Sequence, residues 1–174
     1  MKYKVIVTFA FGMLLTFGWA ACKKAKPQLP SNKTEKQEAE SDIDYLNQKL
    51  VEREDSLLTI YISNRKENFE KSGAGFWYRF IKKNDGPTIK NEQQVILSYK
   101  IFLLDGTFID EMRQTLITVG KHEIFRGLDI ALPIMKKGES AVFVFPWSLA
   151  YGMMGNGADI PGYSSVIVEV TTEN

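Results

Sequence analysis

The stretch 149–162, LAYGMMGNGADIPG, holds the residues with the clearest chemical potential. It combines four glycines with one tyrosine, Tyr151, and an Ile160-Pro161 pair. Glycine lets a backbone turn tightly and approach other groups closely, and the stretch lacks the Gly-Lys-Ser/Thr ending of a phosphate-binding loop. Strand-like hydrophobic runs flank it on both sides. We therefore interpret it as a lid over an apolar pocket.

Several kinds of chemistry are excluded by composition. The single cysteine, Cys22, permits no internal disulfide, and the single histidine, His122, leaves no His/Cys cluster for zinc. His122 lies between Lys121 and Glu123, which indicates a surface position rather than a catalytic triad. The net charge of +1, with no strongly basic block, argues against nucleic-acid binding. No metal and no cofactor is expected.

The elements that must position the lid indicate an α+β domain over residues 73–174. Asp105-Gly106 is a hairpin signal, and residues 125–133 predict a short helix with Leu128, Ala131 and Leu132 facing inward. Strand-like runs occupy 76–82, 95–104, 107–109, 116–119, 140–145 and 164–171. One short helix among five or six mostly antiparallel strands predicts a curved antiparallel sheet wrapped around that helix.

Residues 42–72 predict a helical spacer, because apolar residues recur there at intervals of three or four. Ser41-Asp42 and Asp55-Ser56 could cap two separate helices. We expect this segment to pack on the domain or to act as a simple spacer in a monomer, with dimerisation as the alternative. Residues 22–41 contain two prolines, many charges and few large apolar groups, which is typical of a flexible tether.

Residues 1–21 have the pattern of an export signal. A short basic start is followed by the apolar run 5–21 and by small residues just before Cys22. A transmembrane anchor is the alternative, although the run is at the lower limit of the roughly 17–25 residues that span a bilayer. The position of the lone cysteine favours a signal that is cleaved before Cys22.

The motifs of the domain carry a family resemblance. They follow one another in this order: Tyr99, Asp105-Gly106, Ile109-Asp110, Val119-Gly120, 124–128 (IFRGL), 135–139 (MKKGE), Ala150-Tyr151-Gly152 and Ile160-Pro161. From about residue 75 onward, this order and spacing resemble the FKBP-type peptidyl-prolyl cis-trans isomerases. The N-terminus resembles a bacterial lipoprotein signal, with Cys22 as the lipidated residue. The combination is similar to FKBP-type lipoproteins associated with gliding motility.

The resemblance implies a set of site residues. Tyr99 and Asp110 would line opposite sides of the pocket with the hydroxyl bonded to the carboxylate, Tyr151 would donate to a substrate carbonyl, and Ile160 would cap the pocket. The implied substrate-binding residues are Ile109, Ile124, Phe125, Leu128 and Val168, and the Ile124 amide could bind a second carbonyl. Three of these positions depart from the aromatic residues of the family: Leu128 replaces a tryptophan, Ile109 a phenylalanine and Val168 an aromatic residue. The pocket is therefore expected to be wider and less aromatic.

The implied function is isomerisation of X-Pro bonds in proline-containing client polypeptides. A dry apolar pocket disfavours the planar, dipolar amide more than the twisted transition state, so neither a nucleophile nor a metal is needed. The resemblance places such an enzyme in the cell envelope, anchored in the outer membrane through Cys22 and facing the periplasm. A chaperone that holds proline segments without turnover is the alternative, and a purely structural envelope lipoprotein is a third possibility.

Overall fold

The structure, a computed structural model, describes residues 33–173, with side chains described from residue 42 onward. Residues 44–173 belong to one compact unit, and of the other unit only the helical residues 33–43 are described. The predicted signal and Cys22 lie outside the described residues. The elements are α1 (Lys33–Ser63), β1 (Glu70–Lys71), β2 (Trp77–Lys82), β3 (Gln94–Leu103), β4 (Phe108–Thr118), α2 (Arg126–Ala131), a 3₁₀ turn (Leu132–Ile134), β5 (Ser140–Phe145) and β6 (Val166–Thr172).

The helix α1 is longer and more continuous than the sequence predicted. It begins at Lys33, inside the segment interpreted as a tether, because residues 34–40 are mostly good helix formers with no proline. The expected break at Asp55-Ser56 does not occur. Ser56 Oγ donates to the Glu52 carbonyl, and Thr59 Oγ1 donates to the Asp55 carbonyl, so these hydroxyls bond back into the helix instead of capping a new one.

Six antiparallel strands form one sheet in the order β1-β2-β5-β6-β3-β4. This confirms the predicted curved antiparallel sheet with a short helix. The Leu103 amide bonds to the Thr107 carbonyl at 2.9 Å, which closes the predicted hairpin. The two short runs predicted after the hairpin are one strand, β4. A bulge at Gln114, whose φ is 48°, keeps the strand continuous, and the Gln114 amide donates to Ser98 Oγ at 3.0 Å.

The strand β4 is an edge strand, and two of its amides are occupied by side chains. The Glu111 amide donates to Asp110 Oδ1 at 2.8 Å, and the Thr118 amide donates to Glu123 Oε1 at 3.0 Å. Unpaired amides on an edge are available to other strands. Carboxylates therefore satisfy part of this edge.

The main core lies between α2 and the inner face of the sheet. Leu128, Ala131 and Leu132 are buried as predicted. The inner face contributes alternate residues of each strand, because successive side chains in a strand point to opposite faces. Its buried members are Val95, Leu97, Tyr99, Ile101, Ile117, Ala141, Phe143, Phe145, Val166, Val168 and Val170.

A second, smaller cluster joins α1 to the outer face of the sheet. Leu58 and Ile62 of the helix are buried against Val144, with Trp77 and Ile167 packed around them. The opposite side of the helix leaves large apolar residues exposed, among them Leu46, Leu57 and Ile60. No helix within residues 33–173 combines the length and the apolar character that crossing a membrane requires.

Candidate active site

The structure brings the predicted site residues together. Every one of them except Asp110 packs in the main core cluster, although they come from β3, β4, α2, β6 and the lid. The floor is closed, and its members Tyr99, Phe125, Leu128, Ile160 and Val168 are all buried. The rim is formed by half-buried Ile109, Ile124 and Tyr151. Because the rim is the accessible part, a substrate would enter there.

Asp110 lies at the rim rather than in the core. It is exposed on β4 and pairs in register with the buried Ile101, on the face of the sheet that also carries Tyr99. The hydrogen bond expected between the Tyr99 hydroxyl and the Asp110 carboxylate is not formed in the described structure. Asp110 Oδ1 instead accepts from the Glu111 amide at 2.8 Å. The carboxylate is therefore oriented by its own strand.

The pKa values of Tyr99 and Tyr151 depend on burial and on the nearby Asp110 carboxylate. Burial raises the pKa of Tyr151 from 10.0 to about 12, with further contributions from Tyr99 and the charge of Asp110. Burial also raises the pKa of Tyr99, again helped by the Asp110 carboxylate. Since a negative charge nearby disfavours a phenolate, both hydroxyls keep their protons through the neutral range. Tyr151 is therefore a hydrogen-bond donor set in apolar surroundings.

Aromatic rings from β5 line the site, and the sequence interpretation missed them. Phe125 contacts Tyr151 at a ring-centroid distance of 5.3 Å and Phe145 at 5.2 Å, and Phe145 contacts Phe76 at 5.2 Å. These rings supply aromatic surface beside Leu128, where the family resemblance led us to expect an indole. The alternation of Phe143 and Phe145 along a strand was the available signal for an inward-facing aromatic pair.

Gly127 allows this arrangement. A Cβ on Gly127 would lie 2.6 Å from the Leu149 carbonyl oxygen and 2.8 Å from Phe145 Cδ1. The Gly127 amide donates to the same carbonyl at 2.7 Å. The first turn of α2 is thus fixed directly to the start of the lid.

The lid is organised around Asn156. Its Oδ1 accepts from the Ala158 amide at 3.0 Å and from the Ile160 amide at 2.8 Å, and its own amide donates to the Ile160 carbonyl. Gly155 and Gly162 allow close backbone contact, because a Cβ on either would overlap a carbonyl oxygen. These bonds place the Ile160 side chain in the core. The predicted contact between the lid and the pocket is therefore consistent with the structure.

Asp129 fixes the turn at residues 120–122, which precedes Ile124 at the rim of the site. This role was not identified from the sequence. This buried carboxylate accepts from the amides of Gly120 at 2.8 Å and His122 at 2.7 Å, and the His122 imidazole lies 2.8 Å away. His122 is exposed, as predicted, but its role is to join Asp129 in fixing the turn that leads to Ile124. Among the described residues, no group of three or more histidine, cysteine, aspartate or glutamate side chains could hold a metal ion.

The comparisons with known proteins agree with this geometry. The family of FKBP-type peptidyl-prolyl cis-trans isomerases matches residues 86–172, half of the chain. The chain belongs to the FKBP-type peptidyl-prolyl cis-trans isomerase family. It is 30% identical over 108 residues to the FKBP-type 22 kDa peptidyl-prolyl cis-trans isomerase of Escherichia coli, covering 61% of this chain and 52% of that protein. It is 31% identical over 105 residues to the macrophage infectivity potentiator of Trypanosoma cruzi, covering 58% and 53%.

Solved structures support the FKBP fold independently. A peptidyl-prolyl cis-trans isomerase from Pseudomonas syringae matches with a TM-score of 0.61 and 20% identity, covering 71% of this chain and 93% of that one. AtFKBP13 matches with a TM-score of 0.58 and 22% identity, covering 62% and 98%. At these identities the likeness concerns the fold. The FKBP-type chain spans about half the length of the curated relatives named above.

Volume alone would not have located the site of this FKBP-type domain. A cleft of about 420 Å³ lies between α1 and the segment around Trp147. Another of about 340 Å³ lies on the outer face of the sheet. Neither contains Tyr99, Asp110 or Tyr151. We favour the closed cluster because it combines apolar walls with a protonated donor and a carboxylate.

Proposed function

We propose that the chain catalyses cis–trans isomerisation of X-Pro bonds in polypeptides of the cell envelope. The observation that carries the proposal is the placement of two protonated tyrosine hydroxyls and the Asp110 carboxylate around one apolar cluster. Within that cluster, the pKa of the Tyr151 hydroxyl is about 12, and the pKa of Tyr99 is also raised, so both hydroxyls are protonated at neutral pH. Such a site has a donor for a substrate carbonyl and surroundings that exclude water.

The chemistry requires no covalent step. Rotation about an X-Pro bond must break amide resonance, over a barrier of about 18–20 kcal/mol. The planar amide is strongly dipolar and the twisted one less so, hence an apolar site lowers the barrier by disfavouring the planar form. Phe125, Leu128 and Ile160 provide the apolar contacts for a proline ring. Tyr151 donates a hydrogen bond to a carbonyl of the client.

The residues of the rim have separate roles in this proposal. Asp110 faces the same side of the sheet as Tyr99, and its negative charge helps to keep the hydroxyls of Tyr99 and Tyr151 protonated as donors. The Ile124 amide is available for a second client carbonyl, since it makes none of the backbone hydrogen bonds described outside helices and strands. Asp129 positions this amide through Gly120 and His122.

The test is an isomerisation assay on the full chain, with exchange between the cis and trans forms of a Leu-Pro tetrapeptide followed by NMR. Tyr151→Phe removes one hydrogen bond worth about 0.5–1.5 kcal/mol, so a roughly 2- to 10-fold loss of turnover is expected. Tyr163→Phe is the matched control. Tyr163 packs on Trp147 outside the site, and its exposed hydroxyl makes none of the described hydrogen bonds. Its variant should keep full activity.

Two outcomes would overturn the enzymatic proposal. One is a wild-type chain that accelerates exchange no more than buffer does. The other is an equal loss in both tyrosine variants, which would show that the Tyr151 hydroxyl has no special role. Asp110→Asn completes the series, since it removes the charge and keeps an oxygen acceptor for the Glu111 amide.

A chaperone that binds proline segments with little turnover is the second candidate. The observation in its favour is the exposed methionine pair of the lid, because Met153 is 55% and Met154 88% exposed. Methionine adapts to irregular apolar surfaces. If wild type lacks turnover but suppresses aggregation of an unfolded client, and Met154→Ser reduces that effect, the second candidate replaces the first.

The location is a further part of the proposal. Cleavage before Cys22 followed by lipidation would anchor the chain in the outer membrane facing the periplasm, because acyl chains on one cysteine meet the two-anchor requirement for stable attachment. The sequence pattern of residues 1–22 supports it. Cys22→Ser should move the protein from the membrane fraction, and unchanged retention would favour a transmembrane anchor. A role in gliding motility is supported by the same resemblance and would be tested by deleting the gene and scoring motility.

A further inference from the structure

The outer face of the sheet carries a groove that the isomerase site does not use. Its volume is about 340 Å³, in the range of roughly 300–1,000 Å³ typical of ligand pockets. Val142, Val144 and Ile167 form its apolar floor. Phe143 and Val168, which alternate with these residues, face the main core. The groove and the isomerase site are therefore on opposite faces of the sheet.

Two arginines line this groove without an acidic partner. The Arg65 guanidinium lies 4.6 Å above the Tyr61 ring and donates to the Tyr61 hydroxyl. The Arg79 guanidinium lies 5.6 Å from the Phe69 ring. Within residues 42–173, neither arginine belongs to an ion pair, and Arg79 makes no side-chain hydrogen bond.

Arg79 is the stronger indication of a ligand. Its Nε is buried and has no hydrogen-bond acceptor. A buried donor without an acceptor is costly, and a guanidinium that is already packed on a ring is pre-organised to receive a planar anion. Arg79 is also half-buried between the apolar floor and Phe69, where a charge-assisted bond is stronger than in water.

The rest of the lining restricts what the anion can be. Glu67 and Glu169 also line the groove, and they balance the two arginines. A phosphate group or an anionic membrane surface would bring several negative charges to these glutamates, which disfavours both. A single carboxylate fits better. Phe69 and Phe102 lie beside the apolar floor, and they provide contacts for a large apolar side chain that neighbours the carboxylate in the partner.

We propose that this groove binds an acidic residue flanked by a large apolar residue in a polypeptide partner. The carboxylate binds the Arg79 guanidinium, with Arg65 beside it, and the apolar side chain covers Val142, Val144 and Ile167. The partner contributes the hydrogen-bond acceptor that the Arg79 guanidinium lacks. This second site would hold a polypeptide on the face opposite to the isomerase pocket.

The test uses two peptides that differ only in charge, acetyl-Leu-Glu-Phe-amide and acetyl-Leu-Gln-Phe-amide, titrated into the ¹⁵N-labelled full chain. The Arg79 Nε–H resonance reports the site directly. The glutamate peptide is expected to shift this resonance and to bind about tenfold more tightly than the glutamine peptide, in line with one charge-assisted bond.

Variants locate the effect. Arg79→Gln should weaken the glutamate peptide about tenfold and Arg65→Gln about threefold. The control is Arg113→Gln, which removes an equal charge from an arginine that pairs with Glu111 on β4, away from the groove. It should leave binding unchanged. If Arg79→Gln does not fold, two measurements still test the proposal: the shift of the Arg79 resonance in the wild type, and the affinity of the Arg65→Gln variant for the glutamate peptide.

The proposal is overturned by any of four results. These are equal binding of the two peptides, no shift of the Arg79 resonance at peptide saturation, an equal shift by acetate alone at the same concentration, or an equal loss in Arg113→Gln. Because the groove lies on the other face of the sheet, Arg79→Gln should keep wild-type isomerase turnover. Failure of the isomerase assay would leave the peptide titration interpretable.

Discussion

At the scale of single residues, burial in an apolar cluster keeps the two phenols of the candidate site protonated. The placement of Tyr99, Asp110 and Tyr151 around one pocket was implied by the resemblance of their motifs to the FKBP-type family. The bond between Asp110 and its own strand could not be predicted, because it depends on the conformation of one β-strand. The aromatic wall from Phe145 was missed for a related reason: a phenylalanine in a buried strand has the same sequence pattern whether it fills ordinary core or faces a pocket.

Tyr151 provides a prediction on pH. Its folded pKa of about 12 exceeds the ordinary value of 10.0, mainly through burial. Below pH 10 the folded and unfolded chains hold this proton equally, and between pH 10 and about 12 only the folded chain holds it. The free energy of unfolding should therefore fall across that interval. Ultraviolet difference absorbance should show a phenol that ionises near pH 12 and is missing in Tyr151→Phe. A Tyr151 titration at pH 10 would contradict the buried donor.

At the scale of elements, the close contact of α2 with the lid decides the shape of the site. The sequence predicted the helix and the lid separately, along with most strands. It did not predict that Gly127 joins the two, because the distance between a glycine and a distant carbonyl depends on tertiary packing. The bulge in β4 was missed in the same way, since an extra residue in one strand is defined only by its partner.

Gly127→Ala should destabilise the domain by about 1–3 kcal/mol, because its methyl group would overlap the Leu149 carbonyl, and a backbone atom cannot move cheaply. Chemical denaturation measures this loss. Gly73→Ala is the matched control, since a Cβ there meets nothing within 4 Å. An equal cost at both positions would show that the contact with the lid does not explain the effect.

Asn156→Ala should loosen the lid by removing the acceptor of two amides, at a cost of about 1–3 kcal/mol. Amide hydrogen exchange at Ala158 and Ile160 should speed up, while exchange in β5 and β6 should stay slow. Asn91→Ala, at an exposed asparagine whose side chain makes none of the described hydrogen bonds, is the control. Unchanged exchange at Ala158 and Ile160 would mean that other contacts hold the lid.

At the scale of the whole molecule, α1 packs on the outer face of the sheet through Leu58 and Ile62, and the groove lined by Arg65 and Arg79 lies on that same face. The sequence predicted a helical spacer that packs on the domain or stands free, and the buried residues Leu58 and Ile62 support packing. Their spacing could not distinguish the two arrangements, because Leu57 and Ile60 continue an equally apolar stripe that remains exposed.

Leu58→Ala should cost about 2–5 kcal/mol, because the side chain is fully buried and leaves a cavity. Leu57→Ala, one position away and 49% exposed, should change stability by no more than about 0.5 kcal/mol. Unfolding followed by helix circular dichroism and by Trp77 fluorescence should coincide in the wild type. If α1 melts first and Leu58→Ala has no effect on the sheet, the helix folds separately.

The carboxylates along the edge strand β4 have a consequence for genetic experiments. Asp110 and Glu123 accept hydrogen bonds from the amides of Glu111 and Thr118. These two amides are therefore not free donors to which a strand of a neighbouring molecule could pair and begin aggregation. Asp110→Ala would remove a charge of the proposed site and at the same time expose an amide, so a loss of function in cells could result from precipitated protein. Asp110→Asn separates these two causes, because its amide oxygen still accepts the Glu111 hydrogen while the charge is gone.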